Sequence, residues 1–146
     1  MKSRIEFPDS RGTYIIVFNL KKERKIQTKR RVFLLPEATY GYIGSAFGSG
    51  GLNSRLNRHL KKRKKKHWHF DYVSTSRFFT PVAVYCFLEK RIECEIAERF
   101  KGVFSAISGF GCSDCSCVSH LFIVNSLSEI DKIVSDLPFI VFRFRG

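Results

Sequence analysis

Gly12-Thr13-Tyr14-Ile15-Ile16-Val17-Phe18-Asn19-Leu20 and, further on, Thr39-Tyr40-Gly41-Tyr42-Ile43-Gly44 are the stretches that decide how this chain folds. Each sets a tyrosine close to a glycine on a run of β-branched and aromatic residues, the composition of a half-buried or buried strand. The first strand is expected over Thr13 to Leu20 and the other over Thr39 to Gly44. Between them lie a basic connection, Lys21 to Arg31, and a short strand-like piece, Arg31 to Leu35, that Pro36 interrupts. Beyond them Gly48-Ser49-Gly50-Gly51 breaks the chain before a helix from Leu52 to about Lys62.

Outward from this pair the elements keep alternating. Trp68 to Ser74 and Pro81 to Leu88 read as strands, and Glu89 to Lys101 reads as a helix stopped by Gly102. Val118 to Val124 is an apolar strand. Ser126 and Glu129 are spaced as a capping box for a short helix that ends before Pro138. Phe139 to Phe144 closes the chain as a strand. With no internal repeat and no dividing linker, residues 1–146 are expected to form a single α/β (α+β) domain.

Composition narrows the function. Hydrophobic residues make up 44% and include fifteen phenylalanines, which argues for a packed core rather than disorder. No long uncharged apolar run and no signal-like apolar stretch is present, so a cytoplasmic protein that neither spans nor binds a membrane is expected. The five cysteines are then reduced thiols or metal ligands before they are disulfides. The formal net charge is +13, and it is lopsided. Residues 1–80 hold nineteen Lys and Arg against five Asp and Glu, whereas residues 81–146 hold seven against eight. The half with the tyrosine strands is the face suited to a polyanion, so nucleic acid is the expected partner.

On the helix after the glycines, Leu52, Leu56 and Leu60 form the buried stripe. His59 lies at its edge and Arg55 just beyond, one turn away, while Arg58 falls toward solvent. An arginine and a histidine so placed can grip a phosphate through paired donors. The run Lys61, Lys62, Arg63, Lys64, Lys65, Lys66 continues that helix into His67-Trp68-His69-Phe70-Asp71-Tyr72. Charges leading into aromatics that stack on bases suit a nucleic-acid-binding loop, in which His67 is included. As a strand, His67, His69 and Asp71 would share one face, read here as a plain polar face. On the later helix Ile92, Ile96, Ala97 and Phe100 define the apolar side. Glu93 falls on it, whereas Glu95 and Glu98 point away and Glu89 sits at the helix start, where a carboxylate favours the dipole. An inward carboxylate needs a cation, a proton or an ion-pair partner. Cys112, Cys115, Cys117 and His120 have ligand chemistry, but four donors within nine residues are tighter than zinc motifs usually are. The loop is therefore read as structural packing with turn bonds from Ser113 and Asp114, zinc is not expected, and Cys86 and Cys94 are read as small core or helix residues.

Gly12-x-Tyr14, Tyr42-Ile43-Gly44, then Arg55 and His59 on a helix together resemble the GIY-YIG nuclease superfamily. With His67-Trp-His-Phe-Asp-Tyr72 and Phe110-Gly-Cys-Ser-Asp-Cys-Ser-Cys-Val-Ser-His120 the chain is similar to a branch of small stand-alone members, over roughly Gly12 to Val124. Thr13 stands where isoleucine or valine is usual, and the tyrosines lie further apart than in typical members, a gap a basic hairpin at Lys21 to Arg31 would absorb. The resemblance implies a small, mostly antiparallel sheet of about three strands flanked by helices, here with extra C-terminal strand and helix elements. It implies a metal-dependent endonuclease that hydrolyses phosphodiesters in DNA, favoured over RNA, with one Mg²⁺ or Mn²⁺. Tyr14, Tyr42, Arg55 and His59 would be catalytic, and a glutamate on the later helix would hold the metal. Periodicity selects Glu93 for that role, with Glu95 as runner-up. A phenol titrates near 10, but a cation and arginines favour its ionised form, so either tyrosine can serve as base. The alternative is a non-catalytic nucleic-acid-binding module on the same fold.

Overall fold

A computed structural model describes residues 5–112 and 117–144. Among these, eight strands and four helices follow in the order β1 (Gly12–Leu20), β2 (Arg24–Gln27), β3 (Val32–Leu35), β4 (Ala38–Ala46), α1 (Gly51–Leu60), α2 (His69–Ser74), β5 (Phe79–Leu88), α3 (Glu93–Lys101), β6 (Ser105–Ala106), β7 (Leu121–Ile123), α4 (Leu127–Ile133) and β8 (Ile140–Arg143). The main sheet is antiparallel throughout and ordered β6-β7-β4-β1-β5-β8, while β2 and β3 form a separate hairpin. The fold is α+β, with six strands in the sheet where about three were expected. β5 and β8 extend it beyond β1, and β7 and β6 beyond β4. The gap between the tyrosine strands is filled by the β2–β3 hairpin.

β1 runs down the middle, buried on both faces, which is why it reads as an almost unbroken apolar run. Tyr14, Ile16, Phe18 and Leu20 point to one core with Leu52 and Leu56 of α1, Phe70 and Val73 of α2, and Ile26, Phe33 and Leu35 of the hairpin. Ile15 and Val17 point to a second core with Ile96, Ala97 and Phe100 of α3 and Ile130 of α4. The register of β1 against β5 slips between Val17 and Phe18, opposite Pro81 to Ala83, where proline has no N–H for the ladder. Among the described residues no helix is long and apolar enough to cross a membrane.

Two elements differ from the sequence reading. Residues expected as a strand from Trp68 to Ser74 form helix α2. Asp71 explains the change: its carboxylate accepts from the N–H groups of His67 (2.8 Å) and Trp68 (3.1 Å), satisfying donors at the helix start. His67, His69 and Asp71 therefore do not share a strand face. The later helix starts at Glu93, not Glu89. Glu89 adopts φ 58, its N–H is bonded to the Arg11 carbonyl at 2.7 Å, and its carboxylate accepts from Ser10. The first-turn carboxylates are thus Glu93 and Glu95. The N-cap half of the expected capping box is present, with Ser126 Oγ accepting from the Glu129 N–H at 3.3 Å.

Candidate active site

The two motif strands lie side by side, and Tyr14 pairs with Gly44 across them. A Cβ on Gly44 would overlap the Tyr14 ring, so the glycine lets the phenol lie flat across β4. α1 is then anchored through its N-terminus to the segment that leads into β1. The N–H groups of Leu52 and Asn53 donate to the carbonyls of Ser10 and Pro8, and Gly51, at φ 59, lies so close to Asp9 that a side chain would strike its carbonyl.

These contacts deliver His59 to Tyr14, whose hydroxyl lies 2.7 Å from His59 Nε2, both side chains being buried. His59 Nδ1 has no hydrogen-bond partner among the described residues. Burial first, then the charges of Lys64 and Arg55, push the imidazole down to about 3, so it is neutral at neutral pH. Burial also drives the Tyr14 phenol well above its usual range, against the charge and hydrogen bond of Arg55. Burial raises Tyr42 in the same way, and its ring stacks on Phe70 with centroids 4.4 Å apart.

Arg55 donates to the Ser45 carbonyl at 3.1 Å, and its guanidinium lies 4.6 Å from the Trp68 ring centre, where Arg58 also lies at 4.4 Å. Arg58 is not a solvent-facing residue. It grips buried Asp71 through both nitrogens, at 3.0 and 3.1 Å. Burial pulls the Asp71 carboxyl upward, but the hydrogen bonds from Arg58, His67 and Trp68 outweigh it and hold the group at about 2.

A cleft of about 460 Å³ opens beside these groups, lined among others by Tyr14, Tyr42, Arg55, His59, Trp68 and Glu93. Glu93 arrives from the opposite layer of the fold, and Thr13 brings it there. The Thr13 hydroxyl donates to the Lys90 carbonyl at 2.6 Å and accepts from the Ile92 N–H at 3.0 Å. The residue that replaces the usual isoleucine or valine thus ties the chain just before α3 to the central strand. Glu95 instead points outward and pairs with Arg99 at 2.7 Å. Glu93 is the one carboxylate lining the cleft among the described residues, and one carboxylate with substrate oxygens and water suits Mg²⁺ or Mn²⁺.

A family model described as Domain of unknown function DUF123 matches residues 13–139. The chain belongs to that family. DUF123 is a GIY-YIG-like family, in keeping with the strands, helix and cleft described above. No curated protein and no solved structure matches the chain. In this DUF123 chain the sequence points to Tyr14, Tyr42, Arg55, His59 and Glu93, and the fold brings all of them to one cleft. Trp68, His69, Arg91, Cys94 and His120 also line it and fall outside that sequence-derived set. His69 Nδ1 accepts from the Gly111 N–H at 2.9 Å. An acid three residues after Trp68 is the local signal that places Trp68 at a helix start.

The basic run divides. α1 ends at Leu60, and Lys61, Arg63, Lys65, Lys66 and His67 follow as exposed residues. Lys64 turns inward, with its side chain 5% exposed, and its ammonium donates to the carbonyls of Arg58 (2.9 Å) and His59 (2.5 Å), capping α1. Burial lowers it to about 8. Lys62 donates to the carbonyls of Ser76 and Phe79, both at 2.8 Å. Lys62 and Lys64 are both hydrogen-bonded to the fold, Lys64 turned inward and Lys62 still exposed. Glutamine at Lys61, Arg63, Lys65 and Lys66 together is expected to flatten the salt dependence of duplex DNA binding. The log–log slope should drop by about 0.9 for each phosphate that is no longer neutralised. Lys64→Gln should lower stability and leave the slope unchanged. Titrations at several salt concentrations measure the slope, and an unchanged slope in the fourfold variant would move the footprint elsewhere.

Proposed function

We propose that this protein is a metal-dependent endonuclease that hydrolyses phosphodiester bonds in DNA. The observation that carries the reading is the convergence on one cleft of a Tyr14–His59 hydrogen bond, Arg55 and Glu93, the one carboxylate there among the described residues. An exposed basic segment on the same side supports nucleic acid as substrate.

The geometry supports a role for each residue. Arg55, held by the Ser45 carbonyl and the Trp68 ring, meets the phosphoryl oxygens and offsets the charge that grows on them. Trp68, 40% exposed, offers a face for a base to stack on. The Tyr14 oxygen takes the proton of the attacking water as its own proton passes to His59 Nε2. Without a neighbouring phosphate charge both groups are neutral and the transfer is unfavourable. A bound phosphodiester adds negative charge beside His59 and favours the imidazolium. Glu93 would hold Mg²⁺ or Mn²⁺, which would supply Lewis-acid polarisation of the phosphoryl group and charge stabilisation for the leaving oxygen. Tyr42, packed on Phe70, shapes the floor beside Tyr14.

The test is incubation of the pure protein with end-labelled single-stranded, duplex and branched DNA, and matched RNA, with Mg²⁺, with Mn²⁺ and with chelator. Metal-dependent cleavage of at least one DNA substrate is expected. Tight binding with no cleavage under any of these conditions would replace the nuclease with a non-catalytic binding module, and cleavage of RNA alone would change the substrate class.

A further inference from the structure

Cys94 on the first turn of α3 and Cys117 and His120 of the segment before β7 bring their ligand atoms within 4.8 Å of one another. They are distant in sequence, and the fold joins them. The segment containing Cys117 and His120 is pinned by backbone bonds to β4 on one side and to the turn at Gly109 and Phe110 on the other. The His120 carbonyl accepts from the Ile43 N–H at 2.9 Å, its N–H donates to the Phe110 carbonyl at 2.9 Å, and the Gly109 N–H donates to the Val118 carbonyl at 2.8 Å. Cys94 is presented by the same turn that carries Glu93.

We propose that Cys94, Cys117 and His120 form a zinc site distinct in its donors from the Glu93 cation, on the wall of the same cleft, which Cys94 and His120 also line. Two sulfurs and an imidazole are a soft donor set, which selects Zn²⁺ over Mg²⁺ or Mn²⁺. Donors on one tetrahedral zinc stand roughly 3.7 Å apart, given Zn–S and Zn–N bonds of about 2.3 and 2.0 Å. The observed spacing closes to that with small side-chain rotations, since Cys94 is exposed and Cys117 half-buried. Three protein donors leave one of zinc's four positions for a further ligand. Cys112 is not part of this group, and Cys115 lies outside the described residues. The donor set is therefore not the compact run of four whose spacing argued against zinc. It draws on Cys94, which spacing along the chain could not reach. The consequence is mechanical: the metal staples the segment before β7 to the N-terminus of α3, one residue from Glu93.

The experiment uses the full chain purified under reducing conditions after growth with added zinc, and it reads metal content by elemental analysis and intact mass. About one zinc per chain is expected in the wild type. Cys94→Ser, a substitution at an exposed position, should lose at least about nine-tenths of it while keeping the far-UV circular dichroism of the wild type. Substituting Co²⁺ should give a thiolate-to-cobalt absorption band that Cys94→Ser weakens. Zinc-free wild-type protein overturns the proposal, as does a wild-type mass two units low from a Cys94–Cys117 disulfide. Zinc retained in full by Cys94→Ser overturns it too. None of these readouts depends on cleavage, so the site stands or falls apart from the nuclease reading.

Discussion

Glu93→Gln is expected to lower metal-dependent DNA cleavage by at least about 100-fold, the scale on which a single charge-stabilising group acts in such sites. The substitution keeps the side-chain volume and removes the only carboxylate that lines the cleft among the described residues. DNA binding without metal should survive or tighten, because a negative charge leaves a surface that meets phosphates. Glu95→Gln is the matched control. Its carboxylate is paired with Arg99 on the outer face of α3, so cleavage should stay near the wild-type rate. Arg55→Ala should weaken binding and cleavage together, which separates phosphate contact from metal holding. Single-turnover rates beside binding isotherms make the distinction. Full cleavage by Glu93→Gln with loss in Glu95→Gln would move the metal to the outer face of the helix.

Acid should destabilise the fold well before its carboxylates protonate, and His59 is the main reason. Its folded-state value of about 3 lies below the value near 6.5 of an unfolded histidine. A lowered value means that below about pH 6.5 the unfolded chain takes up a proton that the folded chain refuses. Stability is thus complete above that pH and declines as pH falls toward 3, at about 1.4 kcal/mol per unit, or about 3 kcal/mol by pH 4. Burial lowers His69 too, so it adds to the same window. Asp71, held at about 2, loses its contribution only below about pH 4. Denaturant midpoints at pH 7, 5 and 4 measure the effect. His59→Gln should flatten that dependence, and a variant as acid-sensitive as the wild type would show that His59 is protonated in the native state.

The parts of the molecule legible in the sequence are those governed by local pattern. β1 and β4 announce themselves by β-branched and aromatic content, α1 by its leucine spacing, α4 by Ser126 and Glu129. Glu93 is separable from Glu95 because helical periodicity assigns sides, although the helix begins later than expected. Illegible are the features settled by one contact or by distance along the chain. Alternating polar and aromatic residues from His67 to Tyr72 fit a strand, and only the Asp71 carboxylate bonded to His67 and Trp68 turns them into a helix. Lys64 looks like its neighbours until the carbonyl ends of α1 are there to receive it. Thr13 reads as a tolerated β-branched exchange, while its hydroxyl holds the approach to Glu93. β6, two residues long, carries no pattern at all.

The place of β1 also bears on how the chain reaches its native state. Its neighbours are β4 and β5, and residue 12 of β1 meets residue 88 of β5. The charge asymmetry along the chain suggests a binding half and a scaffold half, yet the central strand is zipped to one of each. That ladder closes a long loop before its contacts are rewarded, which places this chain among slow folders for its size. Until β5 docks, β1 is an apolar strand with an unpaired edge, the kind of edge that recruits other chains. A fragment that stops before residue 79 would keep both tyrosines and most of the basic charge, and it should aggregate rather than bind.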